Sequence, residues 1–402
     1  MVKHFRISVT EAEALIADHI PQAGSERVPV GDALHSVLRE PVIAERDQPP
    51  FNRATMDGIA IASSAIHSHS FTITGTQAAG ATQLTVANDT ECMEVMTGAV
   101  IPAGCDTVIP VERIEKNEGK AIIEAGYKAE PGQFVHPQGS DHSKGDALLQ
   151  TGQRIGPAEI AVLPLSGNAD IETSTNPRIA VVSTGDELVA PGADISAAQI
   201  RSTNDLAIEA ALNKDGFSNT RRHRFADNPE ELRNGIEALI RDNDVLVLSG
   251  GVSMGKFDYL PTVLDELGVT VIFHKITQRP GLPMWFGVAP DGTPVFALPG
   301  NPVSSLTCLS RYVKPALHKY LGIAAVKSET AQLRTPLEFK PALSWFVPVV
   351  LSTNNDGTLI ATPKTTNTSG DFVALSGTDG FIELPDNNDE FPAGYTARVF
   401  RW

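Results

Sequence analysis

Four apolar runs of strand length, separated by segments with helical spacing, constrain the fold of this 402-residue chain more than any other feature. They lie between residues 177 and 323 and have the sequences RIAVVSTG, DVLVLSGG, VTVIFHKI and TPVFALPG. Continuous apolar runs of this kind are typical of strands buried on both faces of a parallel sheet, and the amphipathic segments between them supply covering helices. The pattern therefore predicts a doubly wound, mostly parallel α/β domain over residues 177–325.

The segments before this domain have a different pattern. Residues 52–135 alternate short apolar runs with Gly, Asn and Pro turns, which favours a β-rich module inserted into a discontinuous N-terminal domain of residues 1–51 and 136–176. In that domain a helix is expected to open at Thr10, where T-E-A-E has the spacing of a capping box. We expect this helix to pack against a second helix in the segment 154–162.

The last segment, residues 326–402, has strand patterns without helical ones. Its runs FVPVVLS and TLIATP flank N-N-D-G, and this is a strong hairpin signal because Asp-Gly favours the turns that match strand twist. We predict a small C-terminal β domain with a barrel-like form. The whole is thus expected to be a multidomain chain that combines an α/β domain with β domains.

Composition limits the partners and the compartment. The formal net charge is −16 and the isoelectric point is near 5.0, so the chain lacks the long-range positive field that gathers nucleic acid or anionic lipid, and we expect neither as a partner. The three cysteines have wide spacings without a C-x-x-C pair, and the sequence has no pattern of a secretion signal or a membrane helix. A reducing cytoplasm is the expected compartment.

Polar loops follow three of the predicted strands at their carboxyl ends, where ligands bind in open parallel sheets. They are S-T-G-D-E-L at 183–188, S-G-G-V-S-M-G-K-F-D at 249–258 and L-P-G-N-P-V-S at 298–304. The second loop has the G-x-x-x-x-G-K spacing of a P-loop, but Phe257 replaces the Ser or Thr that such a loop uses to hold Mg²⁺. One such loop alone is more often a tight turn. Three loops at one sheet edge favour an anion site.

Charged side chains in and near these loops are candidate ligands. Glu187, Asp227 and Asp258 place carboxylates where Mg²⁺ would bridge them to a phosphate. For Asp227 a helix N-cap is an equally good interpretation, because a helical pattern follows it. Lys275 and Arg279 are the nearest cations. The alternative interpretation is that they are solvated side chains at the end of a strand.

Histidines raise the separate hypothesis of a transition-metal site. His67 and His69 form H-S-H, and His136 is close in sequence to Asp141 and His142. Metal sites in proteins need three or four ligands at defined spacing, and neither group supplies that pattern. The metal hypothesis is therefore the weaker interpretation.

Six motifs, in order across residues 52–304, carry a resemblance to a known family. They are N-R-A-T-M-D-G, M-T-G-A-V-I-P-A-G, S-T-G-D-E-L, S-G-G-V-S-M-G-K-F-D-Y, R-P-G-L-P and A-L-P-G-N-P-V-S. With these motifs the chain resembles the molybdopterin molybdenumtransferases and the related C-terminal region of gephyrin. The flanking regions are similar to the same four-domain layout.

The resemblance carries functional positions onto this sequence. The implied catalytic residues are Asp57, Thr97, Asp141, Glu187, Asp227 and Asp258, of which Glu187, Asp227 and Asp258 are the implied Mg²⁺ ligands. The implied substrate-binding residues are Gly250, Gly251, Ser253, Lys275, Arg279, Pro299, Gly300, Asn301, Pro302 and Ser304. Among them, Lys275, Arg279 and Ser304 are the implied molybdate contacts. By spacing alone, Asp57 and Thr97 are ordinary turn residues because each precedes a glycine.

The resemblance also implies a reaction and its participants. Molybdate is inserted into adenylylated molybdopterin with Mg²⁺ as cofactor, and AMP is released. The implied assembly is a homodimer in which the β module of one subunit faces the α/β domain of the other, with a molybdopterin adenylyltransferase and apo-molybdoenzymes as further partners. Two alternatives stay open, a non-catalytic pterin carrier or scaffold and a related molybdopterin adenylyltransferase, although the latter would not need the β domains.

The sequence departs from the family pattern at cationic positions. Many members have an arginine-rich run ending in Gly-Glu-Asp where this chain has F-V-H-P-Q-G-S-D at 134–141, and Leu282 stands where a lysine is frequent. The segment P-A-L-S-W-F-V-P at 341–348 has no arginine, although the family often has one or two there. We expect weaker oxyanion capture, because each charge-assisted hydrogen bond contributes about 1.5 to 3 kcal/mol. Molybdate and tungstate are equally compatible with the sequence.

Overall fold

The protein is built around a mostly parallel β-sheet, seen in a computed structural model that describes residues 4–251, 259–324 and 328–402. In spatial order the strands of this central sheet are His4–Ile7, Thr270–Ile276, Trp285–Val288, Pro294–Leu298, Val245–Ser249, Ile179–Thr184 and Thr220–Phe225. The strand Trp285–Val288 is antiparallel to both neighbours, whereas the other pairings are parallel. The mostly parallel α/β domain predicted from the four apolar runs is confirmed.

Alternate residues of the central strands supply two separate cores. Ile179 and Val181 belong to one buried cluster, and Ala180 and Val182 belong to the other, as a side-chain period of two requires. Helices on the first face are Val9–His19, Asn204–Lys214, Pro302–Cys308 and Lys314–Tyr320, the last two joined by a π-helix at Leu309–Val313. Helices on the second face are Pro229–Asp242 and Leu260–Glu266. The sheet is therefore doubly wound.

The N-terminal helix differs from its prediction in two respects. It packs on the central sheet through Val9, Ala12 and Ile16, so the expected packing against the segment 154–162 is wrong. The preceding strand pairs with Thr270–Ile276, and this pairing holds the helix on that sheet. Its capping box also lies two residues earlier than predicted, because Ser8 accepts from Glu11 N at 3.2 Å and the Glu11 carboxylate accepts from Ser8 N at 2.8 Å.

A small domain of short ladders lies between the central sheet and the β module. Its strands are Ser25–Pro29 with Asp170–Ser174, and Val42–Ile43 with Ala147–Leu149, followed by the helix Pro157–Val162. Leu38, Leu149, Ile155, Leu163 and Ile171 form its buried core. Both parts of the chain on either side of the β module thus contribute to one core. The domain boundaries given above stay a prediction.

The β module has its own sheet and core. In spatial order its strands are Thr107–Pro110, Gly58–Ile61, Glu91–Val95, Ser70–Gln77, Lys120–Ile123 and Ile114–Asn117. Ile59, Phe71, Cys92 and Ile109 are fully buried within it. A short ladder between Arg53–Ala54 and Val135–His136 closes the base of the module, where the chain enters and leaves it.

The C-terminal domain is a closed β-barrel. In spatial order its strands are Ser344–Thr353, Leu359–Pro363, Thr330–Leu333, Thr396–Arg401 and Gly380–Leu384, and the last pairs again with the first. The predicted hairpin around N-N-D-G is confirmed by the antiparallel pairing of Ser344–Thr353 with Leu359–Pro363. A strand of the central domain, Gln278–Arg279, is added in parallel to Ser344–Thr353. Backbone hydrogen bonds therefore tie the barrel to the central domain.

Shorter elements complete the described chain. Two further pairings join Leu188–Val189 to Ile200–Arg201 and Leu337–Glu338 to Glu390–Phe391. Turns of 3₁₀-helix are Val30–Asp32, Ser63–Ala65, Val111–Arg113, Leu163–Ser166 and Val373–Leu375. Within the described ranges, every helix is too short or too polar to cross a lipid bilayer.

The three cysteines are free thiols. Cys92 and Cys308 are buried, and Cys105 is partly buried. Burial raises the pKa of Cys92 and of Cys105 to about 12, and it raises the pKa of Cys308 further. Because the thiolate is the reactive form, these thiols behave as small apolar side chains rather than as nucleophiles.

Candidate active site

Two of the predicted strand-end loops meet at one edge of the central sheet. Ser183 and Ser249 are register partners, and Ser249 is in turn the partner of Leu298, so three parallel strands end at the same level. Asn204 links the loops that follow the strands Val245–Ser249 and Pro294–Leu298. Its Nδ2 donates to Ser249 Oγ at 2.9 Å and to the Gly300 carbonyl at 2.8 Å. The chain therefore brings the loops that begin at 249 and 298 into contact.

Glycines allow the backbones of these loops to approach closely. Gly250 and Gly251 have φ of 94° and 68°, in the left-handed region that favours glycine. A Cβ atom on Gly251 would lie 2.9 Å from Thr184 Oγ1, and one on Gly300 would lie 3.5 Å from the Gly250 Cα. Backbone N–H groups that approach an anion without side chains in the way are a common way to bind phosphate. The local geometry fits that use.

Two of the predicted carboxylates lie in the loops after the strands Ile179–Thr184 and Thr220–Phe225. The Glu187 carboxylate lies over Gly185, where a Cβ atom would be 2.5 Å from Glu187 Oε2. Asp227 N donates to Asp186 Oδ1 at 3.1 Å, so the loops after Ile179–Thr184 and Thr220–Phe225 also meet. The N-cap of the following helix is Asn228, which accepts from the next two backbone N–H groups, so the N-cap interpretation of Asp227 is wrong.

The two loop positions Ser253 and Asp258 lie outside the described residues. Among the residues that are described, no group of three or more His, Cys, Asp and Glu side chains is placed to hold a metal ion. His67 and His69 are exposed turn residues of the β module. His136, the histidine near Asp141, forms hydrogen bonds with side chains at the base of the β module.

A cavity of about 670 Å³ lies between the central domain and the C-terminal barrel. Its central-domain wall includes Arg279, Pro299, Asn301 and Ser304, four of the residues implied by the family resemblance. The barrel contributes Lys364 and the hydroxyl-rich segment from Thr365 to Ser369, together with the stacked rings of Phe339 and Trp345. Arg279 and Lys364 place positive charge beside hydroxyl donors, a combination that suits an oxyanion.

Contacts across the domain boundary fix the shape of this cavity. Asn301 Nδ2 donates to Ser369 Oγ at 2.7 Å, and Val303 N donates to the Ser369 carbonyl at 3.1 Å. The register pair Arg279 and Trp345 joins the opposite wall. Pro302 begins the helix Pro302–Cys308, where its missing N–H removes no helical hydrogen bond. Both domains are needed to form the cavity.

A buried glutamine holds the turn that carries Arg279. Gln278 is fully buried, and its Nε2 donates to the Pro280 carbonyl at 3.0 Å. Its Oε1 accepts from the Tyr312 hydroxyl. Burial raises the pKa of Tyr312 well above its usual value, so the hydroxyl keeps its proton and stays a donor. The turn from Gln278 to Gly281 is therefore anchored to the helices behind it.

Lys275 occupies a different place from Arg279. It lies on the strand Thr270–Ile276, and its Nζ is 4.9 Å from the centre of the Phe5 ring. A cation over an aromatic face is attracted by the ring quadrupole. The structure thus places Arg279 and Ser304 together at the cavity and Lys275 beside the N-terminal strand.

The other predicted residues form a second group in the β module. Asp57 Oδ1 accepts two hydrogen bonds from Thr97, from N at 2.6 Å and from Oγ1 at 2.7 Å. The hydroxyl bond, followed by the backbone bond, lowers the pKa of Asp57 below its usual value. Asp57 and Thr97 thus act as a pair in which Thr97 stabilises the carboxylate.

Asp141 lies just after the ladder at the base of the module. His136 Nε2 lies 2.9 Å from Asp141 Oδ1, and His136 Nδ1 lies 3.1 Å from an Nη2 of Arg53. The backbone holds Asp141 through its N–H, which donates to the Gln48 carbonyl at 2.8 Å. Asp57 and Thr97 thus belong to the β module, Asp141 follows the ladder at its base, and the strand-end loops belong to the central domain.

Sequence reasoning missed several residues that shape these groups. Asn204, Gln278 and Lys364 were not predicted as site residues, and Arg53 was noticed only as part of a motif. Asn204 had a usable signal, since it opens a helix that follows a strand of the parallel sheet. Lys364 had none, because its contact with the site depends on how the barrel docks on the central domain.

Comparison with known proteins defines the class that this fold and site represent. The family described as a probable molybdopterin binding domain matches residues 180–319, which contain the central strands and their loops. The MoeA N-terminal region (domain I and II) matches residues 7–167, and the MoeA C-terminal region (domain IV) matches residues 330–402. The chain thus combines a molybdopterin-binding type α/β domain with both accompanying MoeA regions.

Relatives along the full chain narrow this class to one family. A molybdopterin molybdenumtransferase from Synechocystis sp. is 38% identical over 98% of this chain and 100% of that protein. One from Bacillus subtilis is 28% identical over 99% of this chain and 94% of that protein. A crystal structure named as molybdopterin biosynthesis MoeA protein from a Pyrococcus species is 29% identical, with a TM-score of 0.80 over 98% of this chain and 99% of that one. The chain belongs to the molybdopterin molybdenumtransferase family, and the predicted fold class is confirmed.

Proposed function

We propose that this chain transfers molybdenum from molybdate to adenylylated molybdopterin and releases AMP. The observation that carries the proposal is the contact between the loops at 249–251 and 298–301 beside a cavity that contains Arg279 and Lys364. These features supply backbone N–H groups for a phosphate and cations for an oxyanion. Membership of the molybdopterin molybdenumtransferase family supports the same reaction.

The cavity is proposed to bind molybdate. Arg279 and Lys364 are its proposed cationic contacts, and Ser304 adds a hydroxyl group to the cavity wall. The Lys364 ammonium also donates to the Ser376 carbonyl at 2.6 Å, and this contact holds it at the barrel wall. At about 670 Å³ the cavity is larger than one tetrahedral dianion requires, which leaves space for the part of the pterin that receives the metal.

The strand-end loops are proposed to bind the phosphate of the pterin. Gly250, Gly251 and Gly300 allow close backbone approach, and Asn204 holds the two loops together. Pro299 and Pro302 restrict the backbone on either side of Gly300. Ser253, which follows in the same loop, is proposed to extend this phosphate contact.

Carboxylates near the proposed phosphate site fit a Mg²⁺ cofactor. Glu187 and Asp227 would hold the ion together with Asp258, since carboxylate oxygens are the ligands that Mg²⁺ prefers. Gly185 leaves open the space over which the Glu187 carboxylate lies. When bound, Mg²⁺ offsets phosphate charge and makes the phosphoanhydride easier to break. Without a cation these carboxylates would repel the phosphate.

The reaction is tested by mixing purified protein with adenylylated molybdopterin, MgCl₂ and molybdate. We expect AMP release that depends on molybdate and that is accompanied by formation of the molybdenum cofactor. Tungstate in place of molybdate shows whether the site distinguishes the two dianions. Binding of the pterin without molybdate-dependent AMP release would reject the enzyme and favour a carrier.

A matched pair of variants tests the carboxylate role. E187Q removes a proposed ligand charge and is expected to lower AMP release about ten- to a hundredfold and to raise the Mg²⁺ concentration needed for half-maximal rate. D194N is the control, because Asp194 is an exposed carboxylate in the loop that follows. If both variants respond to Mg²⁺ as the unsubstituted protein does, Glu187 is not a ligand.

The division of the proposed residues between two domains supports a homodimer with shared sites. We propose that Asp57, Thr97 and Asp141 of one subunit complete the site formed by the α/β domain of the other. The variants D57N and E187Q are each expected to lose turnover alone. A mixture refolded together is expected to recover up to about a quarter of the normal rate, because one site per mixed dimer then has both residues intact. Failure of the mixture to recover any rate would reject a shared site.

The cellular context is proposed on the same basis. A cytoplasmic location agrees with free, buried thiols. A molybdopterin adenylyltransferase must supply the substrate, and apo-molybdoenzymes must take up the product. Co-purification of these proteins with this chain from its own cells tests both partnerships.

A further inference from the structure

The base of the β module contains a hydrogen-bonded chain of three side chains from two segments of the sequence. An Nη2 of Arg53 lies 3.1 Å from His136 Nδ1, and His136 Nε2 lies 2.9 Å from Asp141 Oδ1. His136 is 29% exposed and Asp141 is 51% exposed, so the chain of contacts is open to a ligand. Among these three, only Asp141 is implied as a site residue by the family resemblance.

The chemistry of the partners fixes the state of the imidazole. Arginine has only donors, so Nδ1 of His136 must accept, and it must therefore carry no hydrogen. Nε2 then carries the hydrogen and donates to the Asp141 carboxylate. In this tautomer His136 bridges its two neighbours, with its acceptor toward a cation and its donor toward an anion.

The position of Arg53 links this bridge to the other residues of the module. The strand Arg53–Ala54 pairs with Val135–His136 on one side. On the other side it contacts the segment after Thr97, because Gly98 N donates to the Ala54 carbonyl at 2.9 Å and Ala54 N donates to the Ala99 carbonyl at 2.9 Å. Asp57 follows in the same segment. The proposed site residues of the module are thus arranged around the strand that carries Arg53.

We propose that His136 is a positioning residue that holds Arg53 ready to bind a phosphate oxygen of the pterin nucleotide and holds Asp141 beside it. Arg53 has five side-chain N–H donors, and within the described part of the chain its side chain donates only to His136. Guanidinium groups bind phosphate through paired donors, and fixing one nitrogen orients the rest. This inference rests on the proposed function, because it assigns the phosphate to that substrate.

Substitutions that differ in one chemical property test the bridge. H136A removes acceptor and donor and is expected to raise the KM for adenylylated molybdopterin about ten- to a hundredfold, with a smaller change in kcat. H136Q is expected to restore most of the lost affinity. A carboxamide presents an acceptor oxygen and a donor nitrogen on one carbon, as the imidazole presents its two nitrogens. H142A is the control, since His142 is the exposed neighbour of Asp141 whose backbone alone contacts Gln48.

Melting temperatures of the three variants show whether the module remains folded. If H136A keeps the normal KM, or if folded H136Q is as impaired as H136A, the proposal is wrong. The KM for adenylylated molybdopterin is expected to be the same in H142A as in the unsubstituted protein, higher in H136Q and highest in H136A.

A measurement without turnover separates this inference from the proposed function. In protein labelled with ¹⁵N-histidine, the signal that disappears in H136Q is expected to show a bare Nδ1 and a protonated Nε2 at neutral pH. Calorimetric binding of adenylylated molybdopterin is expected to weaken in H136A. If the unsubstituted protein binds the pterin but does not release AMP, the proposed function fails while these two results still decide the role of His136. A protonated Nδ1, or equal binding by H136A, would overturn it.

Discussion

At the scale of single residues, the carboxylates in and beside the β module accept hydrogen bonds from residues of neighbouring segments. Thr97 provides two donors to one oxygen of Asp57, and His136 provides one donor to Asp141. The two contacts from Thr97 lower the pKa of Asp57, although this carboxylate is exposed. The motifs around Asp57 and Thr97 therefore have a chemical reason to occur together.

The Thr97 hydroxyl gives a prediction about pH. Asp57 has a pKa below its usual value because the hydroxyl and then the N–H of Thr97 favour the charged form. T97V removes the hydroxyl, so the pKa of Asp57 is expected to rise toward its usual value, and T97S is expected to keep it low. A ¹³C titration of the Asp57 carboxyl group measures both values. An unchanged titration in T97V would show that the hydroxyl is not responsible.

The sign of the effect on folding follows from the same shift. A carboxylate whose pKa is lower in the folded protein contributes stability above its unfolded pKa, and that contribution is lost as pH falls through the folded pKa. T97V is therefore expected to be less stable than T97S above about pH 4, and the two variants are expected to converge at lower pH. Urea unfolding at pH 7 and at pH 2.5 gives this comparison.

At the scale of the element, a single glycine determines how the strands of the β module pair. Gly58 begins the strand Gly58–Ile61, between Glu91–Val95 and Thr107–Pro110. A Cβ atom at this position would lie 1.9 Å from the Ile109 carbonyl oxygen. The Asp-Gly pair is therefore not the simple turn that its sequence indicates. Because Gly58 has no side chain, the neighbouring strand Thr107–Pro110 can pack closely against it.

Substitution of Gly58 is expected to disrupt this element. G58A must displace backbone, so the free energy of unfolding is expected to fall by at least about 1 to 3 kcal/mol. G31A is the matched control, because a Cβ atom on Gly31 meets no atom within 4 Å, and a change of less than about 0.5 kcal/mol is expected. Urea unfolding of both variants gives the values. Equal stability of the two proteins would contradict the steric argument.

Local signals and long-range contacts explain which elements were predictable. The strands around Ile179–Thr184 and Val245–Ser249 were predicted because their apolar runs record burial on both faces. The N-terminal helix was predicted as an element, but its packing was not, because strand pairing with residues about 270 positions away decides it. The cap was misplaced because Ser8 and Thr10 both precede acidic residues at the required spacing.

The residues of the candidate site also divide into those that local sequence signals predict and those that only long-range packing brings to the site. The glycines and carboxylates of the strand-end loops follow from where parallel strands end. Lys364 and Arg53 could not be predicted, since each reaches the site through packing between segments distant in sequence, whereas Asn204 had a signal in its position at the start of a helix. Asp57 and Thr97 were indicated only by the family resemblance, because an exposed pair of turn residues has no periodic signal.

At the scale of the whole molecule, one buried arginine joins three parts of the protein. Arg311, on the π-helix, is 1% exposed, and it donates to Glu383 of the C-terminal barrel at 2.9 Å and to Glu13 of the N-terminal helix at 2.8 Å. Its guanidinium also lies 4.9 Å from the centre of the Phe400 ring. The orientation of the barrel, and with it the shape of the cavity, depends on this junction.

The two carboxylates of this junction are expected to differ in their effect. Glu383 is 16% exposed, so E383Q removes a largely buried negative charge that faces the buried guanidinium of Arg311. The free energy of unfolding is therefore expected to fall by about 3 to 5 kcal/mol. Glu13 is 45% exposed, so E13Q is expected to cost about 1 kcal/mol or less. Urea unfolding of the two variants measures the difference. A larger loss in E13Q would mean that the barrel contact is not the main one.

The pairing of His4–Ile7 with Thr270–Ile276 also has a consequence for the order of events during synthesis. The first strand leaves the ribosome roughly 270 residues before its partner, and at about 5 to 20 residues per second this is a wait on the order of tens of seconds. During that interval Ile7 and the apolar side of the following helix have no sheet to cover them. We therefore expect chaperones that bind exposed apolar segments to retain the nascent chain until the central domain has been translated.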